Sequence, residues 1–77
     1  MINFISMKKQ EIGLFIARRR KALGVNQREL AMLCGVSEHA LCNLERGMGN
    51  PTLDIINSVA DVLGLEVKLG VRDVEAP

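Results

Sequence analysis

Residues 26–47 read NQRELAMLCGVSEHALCNLERG, and this stretch decides the fold. From Gln27 to Cys34 the apolar residues Leu30, Ala31 and Cys34 recur at helical spacing and form one stripe. Gly35-Val36-Ser37 interrupts that run, and Ser37 is a good N-cap for a second helix running to Arg46. In the second helix Ala40, Leu41 and Leu44 face inward, whereas Glu38, His39 and Asn43 fall on another side. Two packed short helices, the second with a polar hydrogen-bonding face, form the arrangement that enters the major groove of DNA. Nucleic-acid binding is therefore the leading expectation.

Size and composition narrow the rest. Seventy-seven residues allow one domain, 1–77, with a modest core, so oligomerisation is expected. Two Phe with no Trp or Tyr argue against stacking platforms for single-stranded nucleic acid and against an aromatic-lined pocket. The net charge is only +1, so a DNA-binding surface has to come from uneven placement of Lys and Arg. Cys34, Cys42 and a single His cannot supply four zinc ligands, so no metal and no cofactor are expected. Each Cys sits in a helical pattern, where a free thiol acts as a small apolar residue. There is no Walker sequence, no G-x-G-x-x-G and no nucleophile–base set, which argues against an enzyme. MINFISMKK lacks the layout of a signal peptide, and no stretch approaches the length of a membrane span. The expected setting is a bacterial cytoplasm, on nucleoid DNA and away from membranes.

Outward from the central pair, residues 6–23 read as a first helix starting near Ser6 and closed by Gly24. Its expected inward positions are Ile12, Phe15 or Ile16, Arg19 or Arg20, and Leu23. Gly13 inside that helix costs up to about 1 kcal/mol against Ala, which points to a close contact or a loose first turn. The run Arg18-Arg19-Arg20-Lys21 points around the helix axis; one or two of its residues are expected on phosphate or an acidic partner, the others in solvent. Gly47 ends the third helix, Asn50-Pro51 marks a turn, and Thr52 caps a fourth helix over residues 53–63. The tail then changes period. Leu65, Val67, Leu69 and Val71 alternate with Glu66, Lys68, Gly70 and Arg72, the pattern of a half-buried strand over residues 65–72. With no second strand in the chain, the economical arrangement is antiparallel pairing with the same strand of a second copy. The expected fold class is mainly α: a four-helix domain with a helix-turn-helix core at 26–47 and a C-terminal strand pairing across a homodimer.

From about Arg18 to Gly64 the chain resembles the XRE, or phage-repressor and Cro-like, helix-turn-helix family. The residues that carry the resemblance are Arg20, Gly24, Asn26-Gln27, Glu29-Leu30-Ala31, Gly35-Val36-Ser37, Leu41, Leu44-Glu45-Arg46-Gly47, Asn50-Pro51, Leu53 and Leu63-Gly64. Where the family has a fifth helix, this chain has LEVKLGVR, and in that it is similar to HipB-type antitoxins, whose C-terminal strands pair across a dimer. The resemblance implies a sequence-specific dimeric repressor of a palindromic operator in double-stranded DNA. It further implies an antitoxin that controls its own toxin–antitoxin operon and binds a HipA-like kinase toxin. The alternatives are a phage or chromosomal regulator with no toxin, and a helical protein-interaction module without DNA affinity.

The same resemblance implies roles for single residues. Asn26 and Gln27 fall at positions that bind phosphate, assisted by a helix N-terminus. Arg20 and Glu45 match an interhelical ion pair. Glu38, His39 and Asn43 match the positions that reach base edges, and Arg46 sits where a backbone contact is made. The residue chemistry is compatible: an Asn carboxamide pairs bidentately with adenine, a His donates to guanine or phosphate, and a Glu accepts from cytosine N4. Structural roles compete for the same residues. Ser37 serves first as an N-cap and only second as a phosphate ligand, Glu38 favours the helix dipole, and His39 can be a plain exposed histidine. The chain departs from the family at Met48-Gly49, where basic residues are common, and at Glu38, which has to face the negative field of DNA.

Overall fold

A computed structural model describes residues 8–69, which form four helices: α1 (Lys9–Ala22), α2 (Gln27–Cys34), α3 (Glu38–Glu45) and α4 (Leu53–Leu63). Local side-chain chemistry sets their boundaries. At the start of α2, Asn26 Oδ1 accepts from the Glu29 amide at 2.8 Å while the Glu29 carboxylate accepts from the Asn26 amide at 3.1 Å. This reciprocal arrangement satisfies two backbone donors that the helix cannot. Ser37 Oγ accepts from the Ala40 amide at 3.0 Å and Thr52 Oγ1 from the Ile55 amide at 3.2 Å, capping α3 and α4. Each cap contributes about 1 kcal/mol. Gly35 ends α2 at φ +71°, a left-handed conformation that L side chains rarely adopt, and so turns the chain into α3.

The expected start of α1 near Ser6 lies outside the described residues. The described helix starts at Lys9, where the Lys8 amide donates to Glu11 Oε1 at 3.2 Å, and it stops at Ala22. Because the helix ends before Leu23, that side chain is not carried inward and stands 47% exposed, against expectation. Phe15 is likewise exposed, and the inward places belong to Ile16 and Arg20. Leu53, the first residue of α4, is exposed too.

One cluster joins all four helices: Ile16 of α1, Leu30 and Ala31 of α2, Leu41 and Leu44 of α3, and Val59 and Leu63 of α4. Leu30, Leu41, Val59 and Leu63 are fully enclosed. Burying each such side chain contributes about 1.5–3 kcal/mol, so this small core can hold the pair α2–α3 in a fixed relation.

At Gly13, α1 lies close against the backbone of α3. A Cβ built there would lie 2.6 Å from Glu45 O and closer still to Leu44 O. The obstruction is backbone, which cannot rotate away, so the glycine is required by helix–helix contact rather than by local conformation. Gly13→Ala is expected to cost a net 1–2 kcal/mol, roughly, the overpacking loss exceeding the gain in helix propensity. Thermal unfolding should then show a midpoint lower by about 4–8 °C per kcal/mol lost. A variant as stable as its parent would mean that α1 and α3 can separate freely.

The chain leaves α4 through Gly64, and the Leu65 amide donates to Ala60 O at 2.8 Å. Leu65 packs half-buried against the core, while Val67 and Leu69 are exposed, Leu69 at 98%. Glu66 and Lys68 meet at 3.2 Å, two residues apart on one side of the segment. Among the described residues, 65–69 form no strand. The remainder of the expected strand, Val71 included, lies outside the described residues. Among the described residues, no helix is long and apolar enough to cross a membrane.

Candidate DNA-binding surface

Three helices converge on one carboxylate. Arg20 of α1 donates from Nε to Glu45 Oε2 at 2.7 Å and from Nη2 to Glu45 Oε1 at 2.9 Å. Its Nη1 donates to Val25 O at 2.9 Å. Gln27, the first residue of α2, donates from Nε2 to Glu45 Oε1 at 2.9 Å. The last residue of α3 is thus held by α1 through a two-point ion pair and by α2 through a carboxamide. Both charged side chains are nearly enclosed, 9% and 4% exposed for Arg20 and Glu45. Burial alone pushes the Glu45 carboxyl up; hydrogen bonds from Arg20 and Gln27, with the charges of Arg20 and Lys21, outweigh it and hold the group below the usual carboxylate value. The bond to Glu45, opposed by burial and aided by the carboxylate charge, holds the Arg20 guanidinium above its ordinary value. The pair is therefore ionised at neutral pH.

With Leu41 and Leu44 buried, α3 presents the opposite side to solvent. Glu38, His39 and Arg46 are exposed there, and Cys42 and Asn43 are half-buried. His39 and Asn43 stand one turn apart, with Asn43 Nδ2 3.3 Å from His39 Nε2. The Asn43 backbone carbonyl accepts from the Met48 backbone amide at 2.8 Å, which ties the end of α3 to the next loop.

Cys42 sits on this outward face, four residues from both Glu38 and Arg46. It is half-buried there, and its helical spacing from Glu38 is the signal that marks this face. Cys34 on α2 is half-buried against the core, and burial pushes its thiol pKa up.

The flanks of α3 carry the remaining candidates. Asn26 Oδ1 is committed to the α2 cap, so its Nδ2 group is what remains for a phosphate. Gln27 spends one N–H on Glu45, an engagement eighteen residues away in sequence. Ser37 is the α3 cap. Of the basic run, Arg20 makes the ion pair, Arg19 donates from Nε to Leu63 O at 2.9 Å, and Arg18 and Lys21 are exposed. Lys9, which the sequence reading did not single out, reaches across forty residues. Its Nζ donates to Gly49 O at 2.8 Å and to Asn50 Oδ1 at 3.1 Å, placing a positive charge on the loop that Met48-Gly49 leaves without one.

Comparison with known proteins agrees with this geometry. Residues 16–69 match the helix-turn-helix family HTH_3. An uncharacterised HTH-type transcriptional regulator of Sinorhizobium fredii is 37% identical over 67 residues, covering 86% of this chain and 87% of the relative. One from Methanothermobacter thermautotrophicus is 39% identical over 51 residues, 66% of this chain and 74% of that protein. The match to a Mycobacterium tuberculosis HTH-type transcriptional regulator, 34% identical over 57 residues, takes in 74% of this chain but only 41% of the relative's length. The crystal structure of the clp gene regulator ClgR from C. glutamicum superposes with a TM-score of 0.73 at 30% identity, covering 86% of this chain and 85% of that one. These are regulators rather than enzymes. By fold, by the residues of its α2–turn–α3 unit and by its relatives, the chain belongs to the XRE-type helix-turn-helix family of transcriptional regulators.

Proposed function

We propose that this chain is a sequence-specific DNA-binding repressor that acts as a homodimer, with α3 in the major groove of each half of a palindromic operator. The observation that carries the reading is the polar outward face of α3, locked to α1 and α2 through Glu45. Asn43 pairs with adenine N6 and N7, Glu38 accepts from cytosine N4, and His39 completes the reading face. Asn26, Gln27, Ser37 and Arg46 hold the phosphates on either side, together with the first-turn amides of α2. Leu65, Val67, Leu69 and Val71 form the strand that pairs with a second copy. The setting is a bacterial cytoplasm, on operator DNA.

The finer assignment is a HipB-like antitoxin that also binds a kinase-like toxin. It is supported by the alternating tail, and a kinase-like reading frame overlapping or following this one, whose product co-purifies with the chain, is its test. Without that neighbour the chain is a stand-alone regulator. A protein-interaction module without DNA affinity is distinguished by salt, because phosphate neutralisation makes DNA affinity fall steeply as salt rises.

The division of labour on the surface has a direct test. Asn43→Ala is expected to relax preference at one operator position and to cost about 1–3 kcal/mol on cognate DNA. Gln27→Ala should weaken cognate and random duplexes alike, because a phosphate contact carries no base information. Equal losses on both DNAs from both variants would refute the sorting.

A further inference from the structure

His39 and Asn43 are two polar side chains on the outward face of α3, and their contact at 3.3 Å constrains both. Taken as a hydrogen bond donated by Asn43 Nδ2, this contact has His39 Nε2 accepting, the role of the tautomer whose proton is on Nδ1. One Asn43 N–H is thereby used. The second N–H and Oδ1 remain, side by side in one plane.

We propose that His39 is a positioning residue that sets operator preference through the orientation of the Asn43 carboxamide; this rests on the reading of α3 as the recognition helix. With Nδ2 drawn toward His39, the free edge of Asn43 is one donor and one acceptor. That edge matches adenine, which offers N7 as acceptor and N6 as donor. Were the residue at 39 a donor instead, Oδ1 would turn toward it and both N–H groups would face the groove. A two-donor edge matches guanine N7 and O6 and rejects adenine N6. The side chain at 39 therefore selects between two bases that a freely rotating carboxamide would read about equally. Because the pair is i, i+4 on a single helix, no movement of the backbone is needed to hold this arrangement.

The test uses the full chain and an operator selected with it from a random duplex library, in mildly alkaline buffer. The base pair read by Asn43 is the one at which Asn43→Ala abolishes discrimination. At that base pair the parent should favour adenine over guanine by about tenfold or more. His39→Ala should bring the ratio several-fold closer to one. His39→Gln, which can still accept from Nδ2, should restore it. His39→Lys, which can only donate, should reverse the preference toward guanine. In an Asn43→Ala background, His39→Ala should have no further effect at that base pair.

Two results would overturn the proposal. One is His39→Ala altering preference at a different base pair while the adenine preference stands, which would leave His39 a base reader that does not position Asn43. The other is His39→Lys retaining adenine. If the parent discriminates at no base pair, the recognition-helix reading itself fails, and that outcome is distinct because it appears before any substitution. Circular dichroism of each variant, expected to match the parent because position 39 is exposed, separates loss of fold from loss of preference.

Discussion

Glu45→Ala is expected to destabilise the chain by about 3–5 kcal/mol, the range found when one partner of a buried ion pair is removed. The substitution strands the Arg20 guanidinium with Val25 O as its remaining acceptor and leaves Gln27 Nε2 without its partner. An uncompensated buried cation is worse than no pair at all, so the loss exceeds what the pair itself contributes. At about 4–8 °C per kcal/mol, the thermal midpoint should fall by at least about 12 °C. Glu66→Ala, which removes an exposed carboxylate from Lys68, should leave the midpoint unchanged. The same carboxylate predicts a pH dependence. Its value in the folded chain lies below the ordinary 4.5, so the unfolded chain binds more protons between the two values. The stability that Glu45 contributes is therefore present above pH 4.5 and is lost as pH falls through the lowered value in the folded state. Glu45→Gln should lack this acid-labile share. Identical acid unfolding of the parent and Glu45→Gln would show that the carboxylate is not held below its ordinary value.

The parts of the fold that were legible in the sequence are those whose physics is local. The caps at Ser37 and Thr52 and the stops at Gly35 and Gly64 act within about one helical turn, so residue type and position announce them; Asn26, read from the sequence only as a phosphate ligand, is a cap of the same kind. The apolar stripes of α2 and α3 follow from the same reasoning. In α1 the pattern offered adjacent candidates, Phe15 or Ile16 and Arg19 or Arg20. Neighbours on a helix differ by 100° or so, and only the packed core decides between them. Ile16 and Arg20 took the inward places. The resemblance supplied the pairing of Arg20 with Glu45, but not the Gln27 arm that completes it. No local signal marks a contact such as Gln27–Glu45 or Lys9–Gly49, because both depend on how the helices cross. Gly13 was readable as an anomaly, and the structure supplies the α3 backbone as its cause.

Inserting about half a helical turn, roughly five base pairs, between the operator half-sites is expected to collapse binding to a single weakly held half-site. A two-fold dimer with one recognition helix per copy reads inverted half-sites, and major grooves on one face of a duplex recur about every 10 base pairs. Half a turn moves the second half-site to the far side of the DNA, where only a flexible dimer could follow. The tail leaves little such freedom. Leu65 is anchored to the end of α4 by its hydrogen bond to Ala60 O and by packing on the core, so a strand beginning there departs from a fixed point. Exposed Val67 and Leu69 are the side chains that pairing would cover. Losing the second site removes the intramolecular advantage of a linked pair, about 10²–10⁴ in affinity. A Val67→Asp, Leu69→Asp double variant supplies the control. It should sediment as a monomer, bind the parental operator about as weakly as the parent binds the displaced one, and be indifferent to the insertion. Footprinting that shows full protection of both halves of the displaced operator would rule out the rigid strand-paired dimer. An undisturbed dimer in the double variant would place the interface elsewhere on the chain.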